Sequence, residues 1–176
     1  MPRLELHEAA VREELAAFEK SLRSGLGVLR RVGGVTVGAT PRASIFEIDG
    51  VRLYRYGERA APRTGMPLMI VYALVNRPEM ADLQAGRSLI AALMARGFDV
   101  YLIDWGYPGG ADRLLGLDDY VNRYIDACVE HLRQLLARDA LSVLGICQGG
   151  TLSTCYAALH PHKVERLITT VTPIDF

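Results

Sequence analysis

One short segment of the sequence carries a residue that could do covalent chemistry. It reads Gly145-Ile146-Cys147-Gln148-Gly149-Gly150, directly after a predicted strand and at the start of a predicted helix. The spacing is that of a G-x-S-x-G nucleophile elbow, with cysteine in the place of serine. The sharp turn would hold the Cys147 side chain clear of the backbone, and the glycines at 145 and 149 would let strand and helix approach closely. We therefore predict Cys147 as a nucleophile.

The surroundings of this cysteine would stabilise negative charge. Free N–H groups and the positive dipole end at a helix N-terminus favour thiolate over thiol. The N–H of Gln148 would point at the oxyanion that develops on an attacked carbonyl. A second N–H would come from the loop Val75-Asn76-Arg77-Pro78, which follows an earlier strand, donated either by Val75 or by Asn76.

A nucleophilic cysteine needs a base, and none of the four histidines is placed to serve. His7 lies in an N-terminal helical pattern, and His131 lies among polar, solvated positions of a long helix. His160 and His162 follow the end of the helix after the elbow, roughly 15 Å from its start. Chain order in elbow enzymes is nucleophile, acid and then histidine, so Asp175 precedes any usable histidine.

Strand and helix patterns alternate around these residues. Apolar runs of strand length at 68–74, 100–104, 141–144 and 167–171 are separated by helical patterns at 82–96, 118–136 and 149–159. Right-handed βαβ units of this kind build a mostly parallel, doubly wound α/β sheet. Asp49-Gly50, between two short strand patterns, predicts a hairpin ahead of it. Ligands bind at the carboxyl ends of strands in such sheets, where Cys147 and the loop at 75–78 both fall.

The first forty residues differ from the remainder. Residues 4–23 carry apolar side chains on one helical face, which predicts an amphipathic helix that packs on the protein body or docks on another subunit. Five glycines between Gly25 and Gly38 then predict a linker. We expect an N-terminal helix and linker over 1–40 and part of a catalytic domain over 41–176.

Composition excludes several classes of protein. Half of the residues are apolar, and Lys plus Arg and Asp plus Glu each total 20, so no general affinity for nucleic acid is expected. The longest apolar run has ten residues, 66–75, whereas a membrane span needs about 20. Acidic residues near the N-terminus argue against a signal peptide and for a cytoplasmic protein. Cys128, Cys147 and Cys155 lack CxxC spacing, which predicts free thiols and no metal site.

Four segments resemble the polyhydroxyalkanoate synthases: 68–78, 145–151, 156–161 and 171–176. The resemblance runs from about residue 40 to the end. It implies an α/β-hydrolase fold with Cys147 as the nucleophile. It also implies polymerisation of 3-hydroxyacyl-CoA, chiefly 3-hydroxybutyryl-CoA, into polyester. CoA would be released through an acyl-cysteine intermediate.

The same resemblance implies features of a longer protein. The aspartate and histidine of the triad would lie beyond Phe176, leaving the sheet incomplete on its C-terminal side and these 176 residues inactive alone. The short N-terminal region is similar to that of class III catalytic subunits, which act with a second, dissimilar subunit at the surface of cytoplasmic polyester granules. The CoA thioester is the substrate, and no cofactor is implied. Two alternatives stay open, a cysteine hydrolase of the dienelactone-hydrolase kind and an inactive fragment that binds a partner.

Overall fold

The computed structural model describes residue 14 and residues 16–21, 37–58 and 65–175. The chain divides into two compact units, Met1–Thr36 and Val37–Phe176. Of the helix predicted at 4–23, residue 14 and residues 16–21 are helical. The remainder of that helix and most of the glycine-rich segment lie outside the described residues. The domain boundary expected after residue 40 stays a prediction.

A six-stranded sheet organises the second unit. Its strands are β1 (Arg42–Ile48), β2 (Val51–Tyr56), β3 (Met66–Val71), β6 (Phe98–Asp104), β7 (Leu141–Ile146) and β8 (Val164–Thr170), in the spatial order β1-β2-β6-β3-β7-β8. The four strands β6, β3, β7 and β8 pair in parallel, and β1 and β2 are antiparallel. The predicted mostly parallel α/β sheet is confirmed.

Short and long helices connect the strands. They are α1 (Leu89–Met94), α2 (Asp126–Leu136) and α3 (Gln148–Leu159), together with a π-helical segment (Asp119–Ile125) that leads into α2 and 3-10 turns at Pro78–Ala81, Gly110–Leu114 and Pro161–Lys163. A separate small hairpin consists of β4 (Asp82–Gln84) and β5 (Arg87–Ser88). None of the described helices is long and apolar enough to cross a membrane.

The central strands are apolar on both faces because helices cover both. Met69 and Val71 of β3 belong to a cluster that includes Leu132 of α2 and Tyr156 of α3. The alternate residues of β3 belong to a second cluster, which includes Ile90 of α1. Burial on two faces explains why this strand reads as a continuous apolar run rather than as an alternating one.

The hairpin predicted around Asp49-Gly50 is confirmed. β1 and β2 pair with Ile48 opposite Val51. Asp49 has φ 49° and Gly50 has φ 84°, as a two-residue turn of type I′ requires. This turn lies next to the π-helical segment, since Arg123 donates a hydrogen bond to Asp49 over 2.5 Å.

The helix predicted over 82–96 is wrong in its first half. Asp82 is buried and accepts hydrogen bonds from the backbone N–H and the hydroxyl of Thr40, at 2.8 and 2.9 Å. Those bonds keep Asp82 in a strand, and Gly86, with φ 78°, then reverses the chain. The helix α1 begins only after Ser88, whose hydroxyl accepts from the Ala91 N–H. Long-range bonds therefore outweigh the local helical pattern.

A buried ion pair within the sheet gives a test of the fold. Asp99 accepts from Arg55 Nε over 2.9 Å and from the Tyr101 hydroxyl over 2.6 Å, and all three residues are buried. In the full-length gene product, we expect Tyr101→Phe to lower the free energy of unfolding by about 1.5 kcal/mol, because a buried carboxylate loses one donor. Chemical denaturation measures the change. Tyr107→Phe, at an exposed ring, is the control, and equal midpoints for the two variants would contradict the expectation.

Candidate active site

Cys147 occupies the turn between β7 and α3. Its φ of 55° and ψ of −131° lie in a region that residues other than glycine rarely adopt, at a cost of order 1–3 kcal/mol. Its N–H donates to the Thr170 carbonyl of β8 over 3.0 Å, and its own carbonyl accepts from the Gly150 N–H over 2.8 Å. These bonds hold the strained turn, and the half-buried Cys147 lies at the carboxyl end of β7.

Two glycines of the motif stand where no side chain fits. A Cβ on Gly145 would lie 2.5 Å from the Cα of Gly150 and 2.9 Å from the hydroxyl of Ser153. A Cβ on Gly149 would overlap the carbonyl of Val71 at the end of β3. The first glycine therefore lets α3 fold back on β7, and the second lets α3 approach β3.

The loop after β3 is tied to the elbow. The Leu74 N–H donates to the side-chain oxygen of Gln148 over 3.2 Å, and Trp105 Nε1 donates to the Tyr72 carbonyl over 3.0 Å. Within the loop, the Asn76 N–H donates to the Ala73 carbonyl over 3.1 Å. The sequence did not show that the Gln148 side chain or Trp105 would hold this loop, because both contacts join residues distant in the chain.

The same hydrogen bonds distinguish the two possible oxyanion donors in the loop. The N–H of Asn76 is already committed to Ala73, whereas the Val75 N–H has no acceptor among the described residues. The N–H of Gln148, in the first turn of α3, has no acceptor within the helix. The geometry therefore favours Val75 over Asn76 as the partner of Gln148. That assignment remains a prediction.

A cleft of about 320 Å³ lies beside this loop, between it and the turn after β6. Leu74, Arg77 and Trp105 contribute to its walls. The Arg77 guanidinium lies 3.4 Å from the centroid of the Tyr107 ring. This stacking fixes the far end of the loop in the way that the Gln148 contact fixes its near end.

The described histidines contact residues away from the elbow. His160 follows the C-terminal end of α3, at the other end of the helix from Cys147. It bonds to the Asn122 side chain over 2.9 Å, and its ring lies tilted against Tyr156 with the centroids 4.7 Å apart. His162 contacts His160 edge to face. The expectation that His131 is solvated is wrong, since its half-buried ring stacks on Phe46 at 4.8 Å. The β1 strand covers that helix position, which the helical pattern alone could not show.

The three cysteines are free thiols in different environments. Cys128 is fully buried in α2, and burial raises the pKa of its thiol to about 12. Cys155 is half-buried in α3 against the core cluster. Within residues 37–58 and 65–175, together with the described part of the N-terminus, no group of His, Cys, Asp and Glu side chains could hold a metal ion.

The contact between Gln148 and Leu74 gives a test of the loop's position. In the full-length gene product, we expect Gln148→Met to lower kcat about tenfold, because the loop after β3 loses the acceptor that ties it to the elbow. KM should change less than kcat. Steady-state kinetics measures both, with Gln134→Met, the same change at an exposed position of α2, as the control. A kcat equal to that of the control would contradict the expectation.

Three comparisons relate the chain to known proteins. Residues 67–176 match the α/β hydrolase fold family model. The chain is 49% identical over 166 residues to the poly(3-hydroxyalkanoate) polymerase subunit PhaC of Allochromatium vinosum, covering 93% of this chain and 47% of that protein. The corresponding subunit of Thiocystis violacea is 48% identical over 165 residues, covering 93% and 46%. The chain therefore spans about half the length of the curated relatives it matches.

A solved structure shows the same fold at low sequence identity. It comes from a study of carboxylesterases of the thaumarchaeon Nitrososphaera gargenis and has a TM-score of 0.51. It is 22% identical to this chain and covers 77% of it, and the match covers 47% of that protein. The likeness concerns the fold alone.

Proposed function

The chain belongs to the α/β-hydrolase fold family, and within that family we propose that it is part of a poly(3-hydroxyalkanoate) polymerase. The observation that carries the proposal is the strained cysteine elbow, with Cys147 at the N-terminus of α3 beside a loop that Gln148 anchors. The names of relatives that are nearly half identical over 93% of the chain support the same activity.

The first step would transfer an acyl group from coenzyme A to the enzyme. The Cys147 thiolate attacks the thioester carbonyl carbon and forms a new C–S bond. The C–S bond to coenzyme A breaks, and CoA leaves as a thiolate that takes up a proton. The N–H groups of Gln148 and Val75 would stabilise the oxyanion between these events. Because one thioester replaces another, the acyl group stays activated.

The second step would form the polyester. The hydroxyl of a bound hydroxyacyl unit loses its proton to a base and attacks the acyl-cysteine carbonyl, and the C–S bond to Cys147 breaks as the ester C–O bond forms. The described histidines contact residues away from the elbow. We therefore propose that the acid and base of the triad lie beyond Phe176, as the resemblance implies.

A cysteine nucleophile in place of a serine favours acyl transfer over hydrolysis. A serine would hold the acyl group as an oxygen ester, which an alcohol attacks less readily than a thioester. A cysteine elbow therefore suits transfer to a weak alcohol nucleophile. The alternative, a cysteine hydrolase of the dienelactone-hydrolase kind, would use the same elbow but would pass the acyl group to water.

Location and partners follow from the proposed activity. A polymerase with an insoluble product would work at the surface of a cytoplasmic granule. The similarity to short catalytic subunits leads us to propose a second, dissimilar synthase subunit as a partner. The CoA thioester is the substrate, and the proposed steps use no cofactor.

One assay separates the proposed activity from its alternatives. The full-length gene product, with its partner subunit where one is encoded, is given 3-hydroxybutyryl-CoA. We expect CoA release, measured with a thiol reagent, together with high-molecular-mass polyester on size-exclusion chromatography. Release of CoA with equimolar free 3-hydroxybutyrate and no polymer would favour the hydrolase. No release of CoA would contradict both activities and favour a binding role.

A further inference from the structure

Val171, the residue after β8, has a backbone conformation that a valine rarely adopts. Its φ is 51°, in the left-handed region, where a β-branched side chain is a true outlier. Its side chain is 82% exposed. Strain of this kind is found where surrounding contacts impose it, often at functional sites.

The strained valine lies beside the strained cysteine. In the parallel pairing of β7 with β8, Ile146 is opposite Thr170, so the next residues in register are Cys147 and Val171. The Cys147 N–H donates to the carbonyl of Thr170, the residue before Val171. The two residues have φ values of 55° and 51°. At the carboxyl edge of the sheet, each of the two strands is thus followed by a non-glycine residue with a positive φ.

Contacts with α3 hold Val171 in place. The Thr172 side chain occupies the space that a side chain at Gly150 would need, and the Thr151 hydroxyl donates to the Pro173 carbonyl over 2.6 Å. The two residues that follow Val171 are thereby held against the first turn of the helix that begins at the elbow. The position of the valine side chain is set by the same elements that set the position of the nucleophile.

A second exposed valine flanks the elbow from the other side. Val75 follows β3, which is the other neighbour of β7, and its side chain is 88% exposed. It adjoins Leu74, whose N–H is bonded to Gln148. The two exposed valines thus follow the two strands that flank β7, and each is one residue from a hydrogen bond to the elbow.

We propose that Val171, with Val75 opposite, contacts the acyl chain attached to Cys147 and so selects 3-hydroxyacyl groups with a short apolar substituent. This inference rests on the proposed function. Two branched apolar side chains on either side of the sulfur would gain burial when an acyl chain lies between them. They would contact its hydrocarbon part and leave its hydroxyl free to react. Their separation would limit the length of the substituent.

The test compares substrates of two lengths in the full-length gene product. The measured quantity is the ratio of kcat/KM for 3-hydroxybutyryl-CoA to that for 3-hydroxyhexanoyl-CoA. We expect Val171→Ala to lower this ratio about tenfold. Removing the methyl groups of Val171 removes the contact that distinguishes short from longer acyl substituents. Leu135→Ala, at an exposed position near the C-terminal end of α2, is the control and should leave the ratio unchanged.

A second variant tests whether the strain serves the site rather than the fold. Val171→Gly removes the same side chain, and glycine adopts a φ of 51° without strain. We expect it to lower the ratio as far as Val171→Ala does and to raise Tm by at least about 2 °C. A ratio within twofold of the wild type for both variants, in a wild type that releases CoA, would overturn the inference alone. A wild type that releases no CoA from either substrate would instead contradict the proposed function.

Discussion

Replacing Cys147 with alanine is expected to lower the rate of CoA release from 3-hydroxybutyryl-CoA by at least about 10⁴-fold in the full-length gene product. Losses of this order follow removal of a nucleophile that acts as one unit with its base and oxyanion donors. The loop contact between Gln148 and Leu74 does not involve the thiol, so oxyanion stabilisation alone would remain. CoA release and polymer formation should disappear together, because the proposed mechanism takes both through an acyl-cysteine.

Cys155 provides the matched control for this variant. It lies eight residues further along, in the same helix as the elbow, and is half-buried. Cys155→Ala should retain CoA release within about threefold of the wild type, since it removes only a small packing group. The fold of Cys147→Ala should be unchanged by circular dichroism. CoA release by Cys147→Ala at the rate of the control would refute the assignment of the nucleophile.

Local patterns in the sequence were sufficient to predict the parts of the fold that depend on local chemistry. The elbow could be predicted because glycines and a cysteine at fixed spacing follow an apolar run. The hairpin could be predicted because Asp49 and Gly50 suit a turn in which both residues have a positive φ. The central strands could be predicted because burial on both faces makes their sequences continuously apolar. In each of these cases, the sequence pattern that predicts the element lies within a few consecutive residues.

Features that depend on distant contacts were not predictable in this way. Asp82 lies in a strand because Thr40, 42 residues earlier, bonds to its carboxylate. The Asn76 N–H donates to the Ala73 carbonyl in a turn of the loop after β3, and the Gln148 side chain holds that loop. The left-handed backbone of Val171 depends on packing against α3. No residue type or spacing in the sequence identifies these contacts.

Replacing Gly149 with alanine is expected to cost more than about 3 kcal/mol of folding stability and to abolish activity. The new Cβ would overlap the Val71 carbonyl and approach Tyr72, and these are backbone atoms that cannot rotate away as a flexible side chain could. Relief would require α3 to move from β3, which would also displace the loop that carries Val75. Soluble yield and the denaturation midpoint of the full-length gene product measure the effect.

The control for this substitution is Gly110→Ala, the same change in a 3-10 turn. A Cβ at Gly110 would meet nothing within 4 Å, and Gly110 does not have a positive φ. The denaturation midpoint of the Gly110→Ala variant should therefore equal or slightly exceed that of the wild type, because alanine restricts the unfolded chain more than glycine does. If both variants unfold at the wild-type midpoint, α3 can pack further from β3 than the structure shows. The close approach that positions Cys147 against the loop after β3 would then not be required for folding.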